Sequence, residues 1–105
     1  MYAAFNARDV DAVLAAMTPD VDWPKTWGGG RAIGREQVRE YWKRQWTEVD
    51  STAEPSTITE LPDGRVEVRV HLVGRDPAGG IVFDHDARHV YTFRDDLVQR
   101  MTIEP

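Results

Sequence analysis

The stretch that decides the fold is Ile81–Phe93, with the sequence IVFDHDARHVYTF. Every second residue, starting with the first, has an apolar, aromatic or imidazole side chain, whereas the residues between them are mostly polar. Because side chains alternate between the two faces of an extended chain, this pattern predicts a long β-strand with one buried face. The predicted inner face holds Phe83, His85, His89 and Tyr91. An imidazole among aromatic side chains is either a structural hydrogen-bonding residue or part of a ligand pocket.

The chain on either side of this strand favours further strands separated by turns. Residues 57–61, 65–74 and 97–103 alternate or are rich in β-forming residues. Turn-forming residues separate them at 62–64, which reads Pro-Asp-Gly, and at 76–80. Consecutive strands joined by short turns pair antiparallel, so we predict a four-stranded antiparallel meander.

The first half of the chain is predicted to be mostly helical. Residues 1–17 favour two short helices, the second capped by Asp9 and ended by Pro19. Residues 21–23 favour a short strand, and 35–49 form the clearest helix. The inward face of this last helix is predicted to hold Val38, Tyr41, Trp42, Gln45 and Val49. Helices followed by a meander predict an α+β fold, in which a curved sheet wraps around two or three N-terminal helices.

Composition limits the classes of function. A chain of 105 residues is expected to be one domain spanning 1–105. It has no cysteine, which excludes disulfides, thiolate metal sites and thiol catalysis. Its net charge is −5 without a basic run, so we expect neither nucleic acid nor a membrane surface as partner. The sequence shows no bilayer-spanning apolar stretch and no secretion signal, and we expect a cytoplasmic protein.

Three stretches carry a resemblance to a known superfamily. They are AAFNARDVDAVLAAMTPDVDW (3–23), GREQVREYW (34–42) and HVYTFRDDLVQRM (89–101). They resemble the nuclear transport factor 2-like superfamily, and in particular its SnoaL-like and ketosteroid-isomerase-like branches. The resemblance implies a cone in which a bent sheet and helices enclose a pocket open at one end, commonly as a homodimer through the sheet. Because this superfamily hosts isomerases, cyclases, dehydratases and binding modules, the resemblance implies the fold and not the reaction.

The catalytic positions of the ketosteroid isomerases are not retained. Their general base falls at Trp23, their protonated carboxylic acid at His89, and their oxyanion-binding tyrosine at Met1. The resemblance therefore does not imply ketosteroid isomerase activity. A pocket-wall tyrosine of those enzymes falls at Trp42, which favours a place for this indole in the pocket wall over a place in the core alone.

Three residues are candidates for catalysis. His89 titrates near neutrality and could act as acid, base or hydrogen-bond donor, although a structural histidine bonded to a neighbour is the competing interpretation. Asp22 is the carboxylate nearest to the isomerase base position and would face inward if the loop shifted by one residue. Simple alternation places Arg100 outside, whereas a β-bulge would turn it into the cone. His85 and His89 lie ~13 Å apart along a strand, so we expect no shared metal, and no cofactor.

Candidate ligand-binding residues are aromatic or lie beside aromatic residues: Trp23, Trp27, Trp42, Phe83, His85 and Tyr91. The first hypothesis is an isomerase, cyclase or dehydratase that uses acid/base chemistry on an apolar, ring-containing carbonyl compound. One alternative is a non-catalytic module that binds such a ligand. The other is a dimeric interaction domain whose cone is filled by its own four tryptophans. A homodimer through the outer sheet face is predicted in each case, because Val82, Val90 and Val98 are placed there.

Overall fold

Helices and strands follow one another in the predicted order. The structure is a computed structural model that describes residues 1–25 and 29–104. The described helices are α1 (Tyr2–Asn6), α2 (Val10–Ala15) and α3 (Arg35–Glu48). The described strands are β1 (Met17–Pro24), β2 (Arg31–Ile33), β3 (Asp50–Glu60), β4 (Val66–Arg75), β5 (Ile81–Arg94) and β6 (Leu97–Glu104).

The described strands form one sheet in the order β2-β1-β6-β5-β4-β3. Strands β3 to β6 are the predicted antiparallel meander, and the α+β architecture with N-terminal helices is confirmed. The meander is extended by two N-terminal strands instead of one. Strand β1 runs parallel to β6, and β2 pairs antiparallel with β1. Parallel pairing between the two ends of the chain leaves no local sequence signal, because no turn connects them.

Two predicted boundaries are wrong near the N-terminus, the end of the second helix and the start of the first strand, since β1 begins at Met17 and not at residue 21. Helix α2 ends at Ala15 and not at Pro19, which lies inside β1. This proline is tolerated because the register between β1 and β6 is interrupted between Met17 and Asp22, so no ladder hydrogen bond is lost. The predicted cap is confirmed, since the Asp9 side chain accepts a hydrogen bond from the backbone N–H of Ala12 at 3.2 Å.

The core joins the helices to the inner face of the sheet. Helix α3 buries Val38, Tyr41, Trp42 and Gln45, as predicted, and Val49 just after it is buried too. Three of them, Val38, Tyr41 and Trp42, pack together with the buried residues of α2 against Val68 and Val70 of β4 and Tyr91 of β5, which lie on the inner face. No helix in the described part of the chain is long and apolar enough to span a bilayer.

A β-bulge in β6 changes which residues face the core. Thr92 pairs with Arg100, whereas Phe93 pairs with Val98, so β6 holds one residue more than β5 at this point. As a consequence Val98 is buried in the core together with Met101. The prediction that Val98 lies on the outer face is therefore wrong. Alternation along β6 cannot show a bulge, because the extra residue reverses the face without changing the residue types.

Candidate functional site

The helices and the inner sheet face enclose a cavity of about 370 Å³. Its wall is almost entirely apolar and aromatic. Helices α1 and α3 contribute Tyr2, Phe5, Tyr41, Trp42 and Gln45, and strands β1, β5 and β6 contribute Trp23, Phe83, His85, Ala87, His89, Tyr91, Met101 and Ile103, among others. A cavity of this size and character is typical of small-molecule sites.

The tryptophans fill part of the cone without closing it. Trp42 is 2% exposed, packs edge-on against Trp23 at 5.6 Å between ring centroids, and stacks on Trp46 at 5.9 Å. Trp23 and Trp42 nevertheless line the remaining cavity. Both indoles therefore serve as core and as cavity wall. Trp27, the other predicted wall tryptophan, lies outside the described residues.

The polar centre of the cavity is a chain of three side chains. The Tyr2 hydroxyl lies 3.0 Å from Nδ1 of His89 and 2.6 Å from the hydroxyl of Tyr91. His89 and Tyr91 come from the same face of β5, two residues apart, and Tyr2 reaches them from α1. The Tyr2 ring also stacks on the His89 imidazole with an interplanar angle of 17°. These contacts hold the imidazole in one orientation.

Burial keeps all three groups uncharged. Burial lowers the pKa of His89 from 6.5 to about 4. Burial raises the pKa of Tyr2 to about 12, against an opposing hydrogen bond from Tyr91. Burial and the neighbouring Tyr2 raise the pKa of Tyr91 well above its ordinary value. Near pH 7 the imidazole is therefore neutral, and it carries one N–H donor and one acceptor nitrogen.

The tautomer of His89 follows from the chemistry of the chain. A phenol is the better proton donor and an imidazole nitrogen the better acceptor, so we assign the Tyr2 hydroxyl as donor to Nδ1 and the Tyr91 hydroxyl as donor to Tyr2. The remaining proton of the imidazole then lies on Nε2. No hydrogen bond among the described residues involves Nε2, this atom is not one of the fully buried unpartnered atoms, and His89 lines the cavity. The site therefore presents one N–H donor in an apolar surrounding.

Asp22 and Arg100 do not lie at the cavity. They are paired across β1 and β6, and Arg100 donates to the Asp22 carboxylate at 3.1 Å. Arg31 donates to the same carboxylate at 2.5 Å and to the backbone carbonyl of Met101 at 2.7 Å. Because Val21 and Trp23 face inward, alternation turns Asp22 outward. The prediction that Asp22 and Arg100 assist at the pocket is wrong as to their position.

The remaining predicted residues lie along one wall. Phe83 and His85 continue the inner face of β5 beyond Ala87, with ring centroids 5.7 Å apart, and both line the cavity. His85 is exposed, which places it at the rim. Sequence reasoning missed Tyr2, because it compared Met1 with the isomerase tyrosine. If that comparison had been shifted by one residue within the first turn of α1, it would have identified Tyr2.

A profile of the SnoaL-like domain matches residues 1–101. The chain belongs to the SnoaL-like domain family. Its nuclear transport factor 2-like fold agrees with this assignment, since a solved protein of that fold from Burkholderia pseudomallei matches it with a TM-score of 0.84 at 24% identity, over 98% of this chain and 82% of the other. Among curated proteins no relative matches this SnoaL-like chain.

Solved structures similar to this SnoaL-like domain include ligand complexes. TerC, crystallised with polyporic acid, is 28% identical over 98% of this chain and 83% of its own, with a TM-score of 0.84. A candidate polyketide cyclase from Xanthomonas campestris pv. campestris is 28% identical over 97% and 82%, with a TM-score of 0.78. RV0760c from Mycobacterium tuberculosis, solved with estradiol-17β-hemisuccinate, covers 99% and 86% with a TM-score of 0.85, and its 15% identity shows the fold alone.

Proposed function

We propose that this SnoaL-like domain binds an apolar, ring-containing carbonyl compound and promotes proton transfer beside its carbonyl group, as an isomerase, cyclase or dehydratase does. The observation that carries the proposal is the unpartnered Nε2 of His89 in an apolar cavity. A carbonyl oxygen is an acceptor that this donor can bind. The aromatic wall provides the apolar surface against which a ring packs.

His89 acts in this proposal as a hydrogen-bond donor and not as a base. With a pKa of about 4 it is neutral near pH 7 and its acceptor nitrogen is bonded to Tyr2. A neutral imidazole can still stabilise the negative charge that develops on a carbonyl oxygen as the adjacent carbon loses a proton. The effect is stronger in a cavity of low polarity, because water does not screen the interaction.

His85 is the proposed proton acceptor. It lies on the same cavity wall and reaches solvent, and the described residues that line the cavity include no carboxylate. In the proposed step the His85 imidazole takes a proton from the carbon next to the carbonyl through a bridging water molecule, because the two histidines lie ~13 Å apart along β5, and the resulting enolate oxygen is held by His89. Return of that proton to a different carbon completes an isomerisation. Attack by the enolate carbon on a second carbonyl completes a cyclisation, with the proton passing to the new alkoxide.

The similar structures support the ligand class. TerC was crystallised with polyporic acid, a diphenyl-dihydroxybenzoquinone that combines carbonyl oxygens with apolar rings. The Xanthomonas protein is a candidate polyketide cyclase, a type of enzyme that acts on carbonyl-bearing chains. Both share with this chain an identity of 28% and nearly its full length.

Deuterium exchange tests the proposal. The bicyclic ketone 2-tetralone exchanges the hydrogens beside its carbonyl slowly in D₂O, and proton NMR follows that exchange with and without protein. We expect acceleration by the wild type, and a reduction by roughly 10²-fold or more in His89→Gln and in His85→Gln. The matched control is His71→Gln, because His71 lies on the outer face and bonds Asp84 and Asp86 instead of the cavity. Equal acceleration by His89→Gln and the wild type would show that His89 has no part in the chemistry.

A non-catalytic ligand-binding module is the second candidate. The observation that favours it is the position of Asp22, the carboxylate nearest the isomerase base position, which is bound by Arg31 and Arg100 outside the cavity. This candidate predicts that a ketone or quinone raises the unfolding temperature in a saturable way, that the ligand is recovered unchanged, and that no exchange is accelerated. Exchange in the presence of the wild type that is faster than in the solution without protein would exclude it.

The proposal includes a homodimer through the outer face of the sheet. The buried core lies on the other face, so the described helices leave this face to solvent. It carries paired charges, among them Arg88 with Glu67 and His71 with two aspartates, around the buried Val90. Sedimentation velocity at micromolar concentration is expected to give twice the mass of the chain. A single species of monomer mass would refute this part of the proposal.

A further inference from the structure

We propose that the cavity takes an elongated ligand of at least two rings in line, and that Gly74 makes room for the ring farthest from His89. The ligand's carbonyl end lies at His89 in this arrangement, so that part rests on the proposed function. Its far ring lies against Phe83. The role of Gly74 rests on a separate observation, the fit of Phe83 against the glycine.

Phe83 occupies the space that a side chain at position 74 would need. The two residues are cross-strand partners in β4 and β5. A Cβ atom placed on Gly74 would lie 2.2 Å from Cε2, 2.4 Å from Cζ and 2.7 Å from Cδ2 of the Phe83 ring. No real carbon contact is that short, so the ring lies flat on the glycine because the glycine has no side chain. An aromatic ring over a glycine is a known way to fill such a gap in a sheet.

The flat ring leaves the far end of the cavity open. Phe83 belongs to the inner face, so a ring displaced from Gly74 would swing away from the sheet and into the cavity. Alanine at this position would therefore shorten the cavity. The backbone itself would accept alanine, because Gly74 does not have a positive φ.

The two ends of the cavity are too far apart for one ring. Phe83 and His89 lie six residues apart on one strand face, at most ~20 Å at ~3.3 Å per residue, and both line the cavity. A single ring bound at His89 does not reach Phe83. Two or more rings in line fill both.

Ser51 is a polar residue at the far end of the cavity. It pairs with Gly74 on the side opposite Phe83, is 4% exposed and lines the cavity. Its hydroxyl oxygen is buried and has no hydrogen-bond partner among the described residues.

Two quinones with the same central ring test the ligand length. Polyporic acid carries two phenyl rings in line with its dihydroxybenzoquinone, and 2,5-dihydroxy-1,4-benzoquinone has none. Quenching of tryptophan fluorescence gives the dissociation constant of each. For the wild type we expect polyporic acid to bind roughly tenfold more tightly or better. Gly74→Ala is expected to remove that preference and to leave binding of the single-ring quinone within about twofold of wild type.

The Phe83→Ala background shows whether the effect passes through the ring. In that background Gly74→Ala should change neither dissociation constant, because no ring remains to be displaced. The matched control is Phe93→Ala, which removes an exposed phenylalanine of the same strand that is not among the cavity-lining residues. It should keep the wild-type preference. A preference that survives Gly74→Ala, or that Phe93→Ala also removes, would overturn the inference.

Thermal unfolding provides a test that needs no ligand. Gly74→Ala is expected to lower the unfolding temperature by about 5 °C in the wild type and not at all in the Phe83→Ala background. If Gly74→Ala lowers the unfolding temperature equally in the wild type and in the Phe83→Ala background, the proposed role of Gly74 is overturned. The proposed function fails separately if neither quinone binds, or if His89→Gln leaves the binding of both unchanged. If the single-ring quinone binds as tightly as polyporic acid and its binding depends on His89, the proposed function stands and only the inference of an elongated ligand is overturned.

Discussion

Acid should destabilise this protein between pH 6.5 and pH 4 because of one residue, His89. In the folded state its pKa is lowered to about 4 by burial, whereas an exposed histidine of the unfolded chain has a pKa of 6.5. Within this window the unfolded state therefore binds a proton that the folded state excludes. Stability contributed by the neutral imidazole is complete above pH 6.5 and is lost progressively as the pH falls through the window.

The expected loss follows from the two pKa values. They differ by roughly 2.5 units, and one unit corresponds to about 1.4 kcal/mol, so the free energy of unfolding should fall by about 3 kcal/mol on acidification. His89 is 7% exposed, so solvent screening reduces this value little. The stability that the carboxylates of Asp20 and Asp63 contribute to the fold is also lost in acid. Hydrogen bonds to arginines lower their pKa below 3.8, so that loss falls below the His89 window.

Urea unfolding at a series of pH values, for the wild type and His89→Gln, isolates the effect. The difference between the two proteins should rise with pH between 4 and 6.5 and then stay level. His71→Gln is the matched control. Hydrogen bonding to Asp86, together with Asp84, raises the pKa of His71, so its contribution is present in acid and is lost as the pH rises above 6.5. A difference between wild type and His89→Gln that is flat or falls with pH would refute the burial argument.

Substitutions at two further residues test the contacts that hold α1 over the cavity. Tyr2→Phe removes the hydroxyl that joins His89 to Tyr91, and it should lower the free energy of unfolding by about 1–3 kcal/mol in urea denaturation; an unchanged midpoint would contradict the hydrogen-bond chain. Asn6→Ala removes an amide that donates to and accepts from the backbone of Ala53 at 2.8 Å each, with an expected loss of about 2 kcal/mol by the same measurement. Asn6→Asp sets a second acceptor oxygen against the Ala53 carbonyl oxygen and should be no more stable than Asn6→Ala, so wild-type stability of either variant would count against this anchor.

The period-two pattern of β5 predicted the site because one face of one strand forms much of the cavity wall. Phe83, His85, His89 and Tyr91 all line it. The same pattern overestimated burial near the strand end, where Phe93 is 43% exposed. Alternation reports which residues share a face, but it does not report how far the helices extend over that face.

Contacts between distant parts of the chain account for what the sequence did not predict. The outward position of Asp22 depends on the parallel pairing of β1 with β6, which sets it opposite Arg100. The role of Tyr2 depends on where α1 lies against the sheet, and its partners are more than 80 residues away. Hydrophobic periodicity contains neither relation, since each arises from tertiary packing and not from local preference.

His89 decides between a structural and a functional interpretation of the cavity. A histidine kept for structure alone would have both ring nitrogens bonded within the protein, because an unpartnered buried donor costs about 1–3 kcal/mol. Here Tyr2 bonds Nδ1, whereas Nε2 bonds no described residue and is not one of the fully buried unpartnered atoms. An apolar side chain at this position would avoid the instability in acid. Groups that lower stability in this way are concentrated at functional sites, so the open nitrogen, together with the cavity it faces, favours a ligand as its partner.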